Sequence, residues 1–159
     1  RIKMGFEIKV EIKDEVTKKL NELTSKINDI KPLLNQIGYT LIEQVEENFE
    51  NESFFGEKWT PLTTTTKRQK EKKGYKKILQ NRGTLAESID FTIRNNKLIL
   101  GTNIKYAPIH QFGGVAGKSH TAKIPARPFL PIKPNTQELP KETENEILEV
   151  IKSFFEYNR

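Results

Sequence analysis

The stretch "YAPIHQFGG", Tyr106 to Gly114, holds one of the two histidines in the chain and ends on a glycine pair. In a helical turn, Tyr106, Ile109 and His110 fall on neighbouring rows of one face. Gly113 and Gly114 then supply a stop or a hinge. A catalytic histidine needs an orienting partner and a nucleophile within reach. The chain has no cysteine and no Gly-x-Ser-x-Gly, and the nearby serines, Ser88 and Ser119, stand in no recognisable setting. A metal reading pairs His110 with His120, yet Phe91 to Lys133 contains no Asp or Glu, and zinc takes three or four ligands. His110 therefore reads as a packed residue of a turn. No catalytic residue, metal ligand or cofactor is assigned.

Outward from this turn, the pattern is α+β. Before it, "DFTIRNNKLILG" reads as a hairpin: Phe91 and Ile93, a turn at Asn95-Asn96, then Leu98 and Leu100. "TLAE", Thr84 to Glu87, reads as a capping box opening a short helix. After the turn, "IPARPFLPIKP" has prolines at 125, 128, 131 and 134. Proline removes ladder donors, so this segment is extended and at best an edge strand. Asn135 and Glu138 are the expected caps of a last helix over about 136–156, with Ile147, Leu148, Ile151, Phe154 and Phe155 as its apolar stripe. At the other end, "GFEIKVEIK" alternates Phe6, Ile8, Val10 and Ile12 against charged residues, a half-buried strand. Val16, Leu20, Leu23, Ile27 and Ile30 then mark a first helix. Leu34, Ile37, Leu41, Val45 and Phe49 mark a second, from Pro32 to Asn51. Glu43, Glu46, Glu47 and Glu50 make its other side an acidic, solvated face. The expected fold is a small, mostly antiparallel sheet packed against two or three long helices, with a long basic loop.

A chain of 159 residues suits one domain, here 1–159. Its hydrophobic fraction of 35% is lean for that length. Either part of the chain is an arm or mobile loop, or neighbouring subunits complete the fold. No signal-peptide pattern and no apolar run near 18 residues is seen, so a soluble, cytosol-made protein is expected. The chain opens at Arg1, which fits a start inside a longer chain or a tag remnant.

Charge is segregated. Residues 67–133 hold 15 Lys/Arg against 3 acidic residues, and the remainder holds 12 against 18. Lys67, Arg68, Lys70, Lys72, Lys73, Lys76 and Lys77 crowd into a basic, helical segment that ends at Gly74 and its sequel. Residues 67–82 and 114–123 are the expected mobile or contact loops. Tyr75, Ile78 and Leu79 are placed to tack down the end of the first. A basic centre between acidic ends fits nucleic acid or attraction between copies of one chain. The segment lacks the aromatic platform of a single-strand binder. Trp59 sits in an aromatic loop with Phe54 and Phe55, as a core plug or an interface anchor.

Four stretches, in order, resemble the phage virion morphogenesis (tail completion) family of Mu-like and P2-like phages. They are "WTPLTTTTKRQK" with Trp59, Pro61 and Leu62, "ILQNRGTLAESI" with Gly83 and Leu85, "GTNIKYAPIHQFGG" with Tyr106 to Gly114, and "IPARPFLPI" with Pro125, Arg127, Pro128, Phe129 and Leu130. Arg82 stands where the family commonly has Thr or Ser, and Pro131 where it has glycine. The resemblance implies a structural component of the virion rather than an enzyme. Such a protein is made in the bacterial cytoplasm and acts late, at the tail end or head–tail junction. It docks on tail or neck proteins and forms homo-oligomers, rings among them, with nucleic-acid contact secondary. The motif residues then take expected roles. Tyr106, Ile109 and Phe112 pack the turn on the hairpin, beside Ala107 and Gln111. His110 hydrogen-bonds inside the turn. Gly113 and Gly114 free the loop after them. Arg127 pairs with a carboxylate, and Phe129 and Leu130 enter the core beside the last helix.

Overall fold

A computed structural model describes Lys18, Glu22, residues 29–119 and residues 121–157. The expected first strand, most of the first helix and His120 lie outside the described residues.

The frame is a 21-residue helix, α1 (Lys31–Asn51), with a proline in its first turn. Proline suits that position, where its missing N–H has no intrahelical partner anyway. Leu34, Ile37, Leu41, Val45 and Phe49 are all buried along it, as their spacing requires. Leu33, Gly38, Gln44 and Asn48 are buried there too. The helix stops at Glu52, whose φ of 50° puts it in the left-handed region.

A tight hairpin follows, β1 (Ser53–Phe54) and β2 (Glu57–Lys58). Then come α2 (Thr64–Lys72), α3 (Thr84–Glu87), and a longer hairpin of β3 (Asp90–Arg94) and β4 (Lys97–Gly101). In the latter, Arg94 faces Lys97 across a two-residue turn. Asn95 and Asn96 have φ of 50° and 57°. Positive φ at both turn residues lets the turn follow the strand twist, and Asn tolerates it. The chain continues through α4 (Ala107–Phe112), a hairpin of β5 (Gly114–Ala116) and β6 (Ala122–Ile124), and α5 (Lys141–Tyr157).

The architecture is α+β, and every described strand pair is antiparallel. The strands form separate two-stranded hairpins rather than one sheet. Three local expectations change. Within 114–123, Gly114–Ala116 pairs with Ala122–Ile124 as a short hairpin, and the chain leaves β5 through Gly117 at a φ of 88°. The cap of α3 is Gly83, in the left-handed region at φ 73°, and Thr84 is already helical. Asn135 and Glu138 do not cap α5. Residues 133–138 close on themselves, with Lys133 N–H on the Glu138 carbonyl at 2.8 Å, and the first helical bond runs from Glu144 N–H to Pro140 at 3.1 Å.

One core holds these elements together. It runs from Leu33 and Val45 on α1 through Phe129, Leu130 and Ile132 to Ile147 and Ile151 on α5. A polar link locks the two long helices. The Thr143 hydroxyl donates to Gln44 Oε1 at 2.9 Å, and Gln44 Nε2 donates to Glu146 at 2.6 Å. The β3–β4 hairpin lies on α1 at Gly38, and the Phe91 ring also meets Tyr39 edge-on at 5.2 Å.

A Cβ at Gly38 would fall 2.5 Å from that ring. In an exposed helix Gly→Ala stabilises by about 1 kcal/mol. Here Gly38→Ala is expected to destabilise by about 1–3 kcal/mol, the usual cost of overpacking. A thermal melt reads the loss, and adding Phe91→Leu should return part of it.

Candidate functional site

Three of the four motif stretches, those of Trp59, Gln111 and Arg127, meet around residues 127–132. Proline at 128 and 131 removes two N–H donors there, so a strand ladder cannot serve this backbone. Buried backbone polar groups still need partners. Side chains supply them. Gln111, fully buried, accepts from Phe129 N–H at 3.0 Å and Leu130 N–H at 2.9 Å through one oxygen, and its Nε2 donates to the Ile132 carbonyl at 3.2 Å. Trp59 Nε1 donates to the Pro128 carbonyl at 2.8 Å. Asn48 Nδ2 donates to the Phe129 carbonyl at 3.2 Å. Arg127 N–H donates to the His110 carbonyl at 2.7 Å.

Arg127 closes the junction. Among the described residues it meets no carboxylate, where the sequence led us to expect one. Its Nε donates to the Thr60 carbonyl at 2.8 Å and its second nitrogen to the Pro61 carbonyl at 3.2 Å. The rigid guanidinium fork fits adjacent carbonyls of an extended chain as it fits a carboxylate. Burial lowers its pKa from the ordinary arginine value.

His110 is corrected as well. Its imidazole makes no hydrogen bond within the turn, and Nδ1 is buried without a partner among the described residues. The backbone carbonyl does the bonding instead. The ring lies edge-on to Tyr106 at 5.8 Å. Burial, and then the charge of Arg127, lower the His110 pKa below 6.5.

The remaining motif residues divide. Trp59 is a core plug, 4% exposed, edge-on to Phe49 at 5.6 Å. Phe129 and Leu130 fill the core, as expected. Leu85 and Ala107 are buried, and Leu62 and Phe112 pack against the core from its margin. Tyr106 is 49% exposed rather than packed on the hairpin. Ile109 is half-buried and lies over Gly114. Gly113 is required where it stands: its φ is 73°, and a Cβ would meet Ala126 N at 2.9 Å. The close approach fixes the α4–β5 corner, so Gly113 is a tight joint rather than a free hinge. Ser88 is engaged, its hydroxyl bonded to the Leu85 carbonyl at 2.7 Å and to Thr102 at 2.6 Å.

The basic residues are not at the junction. Lys67, Arg68, Lys70 and Lys72 ride on α2, which has no buried residue, and Lys73, Lys76 and Lys77 follow it. Thr63 caps it by accepting from Thr66 N–H. Lys70 alone turns inward, donating to Asn81. Its pKa is lowered by burial, with Glu52 opposing and Arg127 adding to the effect. Beyond the helix Ile78 and Leu79 join the core, and Ile78 N–H bonds to Glu52. Sequence reading missed Asn48 and Gln44. The available signal was a polar residue on the buried side of an otherwise apolar stripe. Among the described residues, no group of three or more His, Cys, Asp or Glu is arranged to hold a metal.

Gln111→Leu orphans two N–H groups and a carbonyl, at about 1–3 kcal/mol each, so a loss of roughly 3–9 kcal/mol is expected. His110→Leu should cost clearly less. Urea unfolding followed by the fluorescence of Trp59, the single tryptophan, orders the two; the reverse order would refute the clamp. Acid provides a second check. The unfolded chain takes up a proton at His110 near pH 6.5, and the folded chain only at lower pH. Protonation therefore favours unfolding between those values, and stability falls as pH drops below about 6.5. His110→Leu should flatten that part of the stability–pH curve.

Comparison with known proteins agrees with the motifs. The sequence model of the phage virion morphogenesis family matches residues 12–156. The Mu-like prophage FluMu G protein 2 of Haemophilus influenzae is 35% identical over 157 residues, covering 94% of this chain and 96% of that protein. An uncharacterized protein of Methanocaldococcus jannaschii is 32% identical over 125 residues, covering 74% and 89% respectively. No solved structure matches the chain. With nearly the whole chain matched, the protein belongs to the phage virion morphogenesis family.

Proposed function

We propose that this chain is a non-enzymatic assembly protein of a phage or prophage. It completes the tail, or joins tail to head, by associating with copies of itself and docking on neck or tail-tube proteins. It acts in the bacterial cytoplasm during assembly and stays in the virion at the head–tail junction or the tail end. The observation that carries the reading is the use to which the family's residues are put. Trp59, Gln111 and Arg127 bind main-chain carbonyls and amides. They hold three chain segments in one rigid arrangement and present no nucleophile beside a base. Such a scaffold suits a subunit whose product is a fitted surface. The surface itself is charged and segregated, which suits docking and register more than raw affinity. Among the described residues no helix is long and apolar enough to cross a membrane.

The test is a deletion of the gene in a particle-producing strain. Heads and tails that accumulate unjoined in negative-stain images are the expected result, with the protein sedimenting on finished tails in the complemented strain. Complete, infectious particles from the deletion strain would sink the proposal.

A further inference from the structure

Two single-sign faces of this chain are left unneutralised by the described residues. Glu43, Glu46, Glu47 and Glu50 are all exposed on α1. Their spacing of 3, 1 and 3 puts them in one row, about 10 Å long at the helical rise. The Gln44–Glu146 bond brings a further carboxylate of α5 beside that row. None of the four α1 glutamates forms an ion pair with a described residue. The second face is α2 with the turn after it. Lys67, Arg68, Lys72, Lys73 and Lys76 are exposed, and their side chains bond to no described residue.

Helix α2 is poorly supported by its own chain. It has nine residues and no buried side chain, and helices this short are marginal in water without tertiary contacts. Arg68 and Lys72, four apart, repel each other. An acidic row laid along the helix removes that repulsion. Lys77 reaches the main-chain carbonyl of Glu50, at 3.4 Å, but no glutamate carboxylate of α1. The two faces thus lie close without satisfying each other.

Extending the assembly reading above, on which this rests, we infer that residues 67–76 of one copy dock on the Glu43–Glu50 row of a second copy. The contact joins unlike faces, so it leaves one free face of each sign and propagates into a ring or a filament. A second copy fits better than nucleic acid. A phosphate backbone tracking past Lys77 meets Glu50 and the acidic row, and α2 carries no aromatic platform for bases.

Charge reversal tests this on the full chain. One variant carries K67E, R68E and K72E, and the other E43K, E46K and E47K. All six sites are exposed, and Glu and Lys have similar helix propensity, so both variants should fold. In the wild type, the mass by light scattering should rise with concentration at low salt. It should fall back toward the 18.4 kDa monomer at about 0.5 M salt, where screening is strong. Either variant alone should associate at least about tenfold more weakly. An equal mixture should restore assembly, because each reversed face then meets its complement. Wild-type association by the K67E/R68E/K72E variant would overturn the docking mode and leave self-association standing. A wild type that stays monomeric at every concentration and salt would overturn both, while the gene deletion still judges the assembly role. Submicromolar binding of a fluorescent DNA duplex, steep in salt and lost in the α2 variant while self-association is unchanged, would hand the basic helix to nucleic acid.

Discussion

The structure depends on how residues 127–132 satisfy their backbone. Prolines deny this segment a ladder, yet it runs through the middle of the core, with Phe129 and Leu130 almost fully buried. A segment so placed must find its partners in side chains, and each has to reach in from a different element. Gln111 comes from α4, Asn48 from α1 and Trp59 from the chain after β2. The main chain adds two bonds, from Arg127 N–H to the His110 carbonyl and from Ile132 N–H to the Leu130 carbonyl, and the Arg127 fork ties the segment to Thr60 and Pro61. A buried amide without its partner costs more than a hydrogen bond contributes. The donors and acceptors therefore set positions more tightly than apolar contact alone.

That constraint accounts for several distant features. α1 must present Asn48 and Phe49 to the same segment, so its buried face is interrupted by polar residues and still packs. α4 is a single short helix because its work is done by two consecutive residues, the His110 carbonyl and the Gln111 side chain. The left-handed Gly113 turns the chain at once toward β5, and its lack of a Cβ lets Ala126 approach. The proline segment is held from both flanks in this way, and α5 can close over it through Ile147 and Ile151.

Where a residue's role follows from local periodicity or turn chemistry, the sequence was readable. The α1 stripe, the Asn95-Asn96 hairpin and the α2 helix are of this kind. So is the burial of Phe129 and Leu130 beside the last helix. Legibility ended where a role depends on which distant groups lack partners. Gln111 looks like any glutamine between two aromatics until Phe129 and Leu130 are seen with unpaired amides. Arg127 suggested a carboxylate because arginine often takes one, but carbonyls of an extended chain offer the same geometry. His110 drew attention as a titratable group, although its contribution comes from a carbonyl that any residue has. The short hairpins escaped because two- and three-residue strands carry almost no periodic signal. The caps of α3 and α5 went elsewhere because a left-handed glycine and a proline each began the helix with less rearrangement.

The clamp and the charges occupy different parts of the molecule, and this separation has a physical consequence. The inner polar groups are committed to one another, so a change there is felt as lost stability. The outer charges on α1 and α2 contribute little to the fold, since exposed ion pairs are worth at most about 1 kcal/mol and the α1 glutamates form none with a described residue. Segregated charge also costs the isolated chain some self-repulsion. A protein that only had to fold would gain by interspersing the two signs. Keeping the acidic row on a rigid, buried-faced helix and the basic row on a helix that nothing in the core supports gives one firm face and one adaptable face. Such a pair can find its register under weak, salt-sensitive attraction and become ordered on contact.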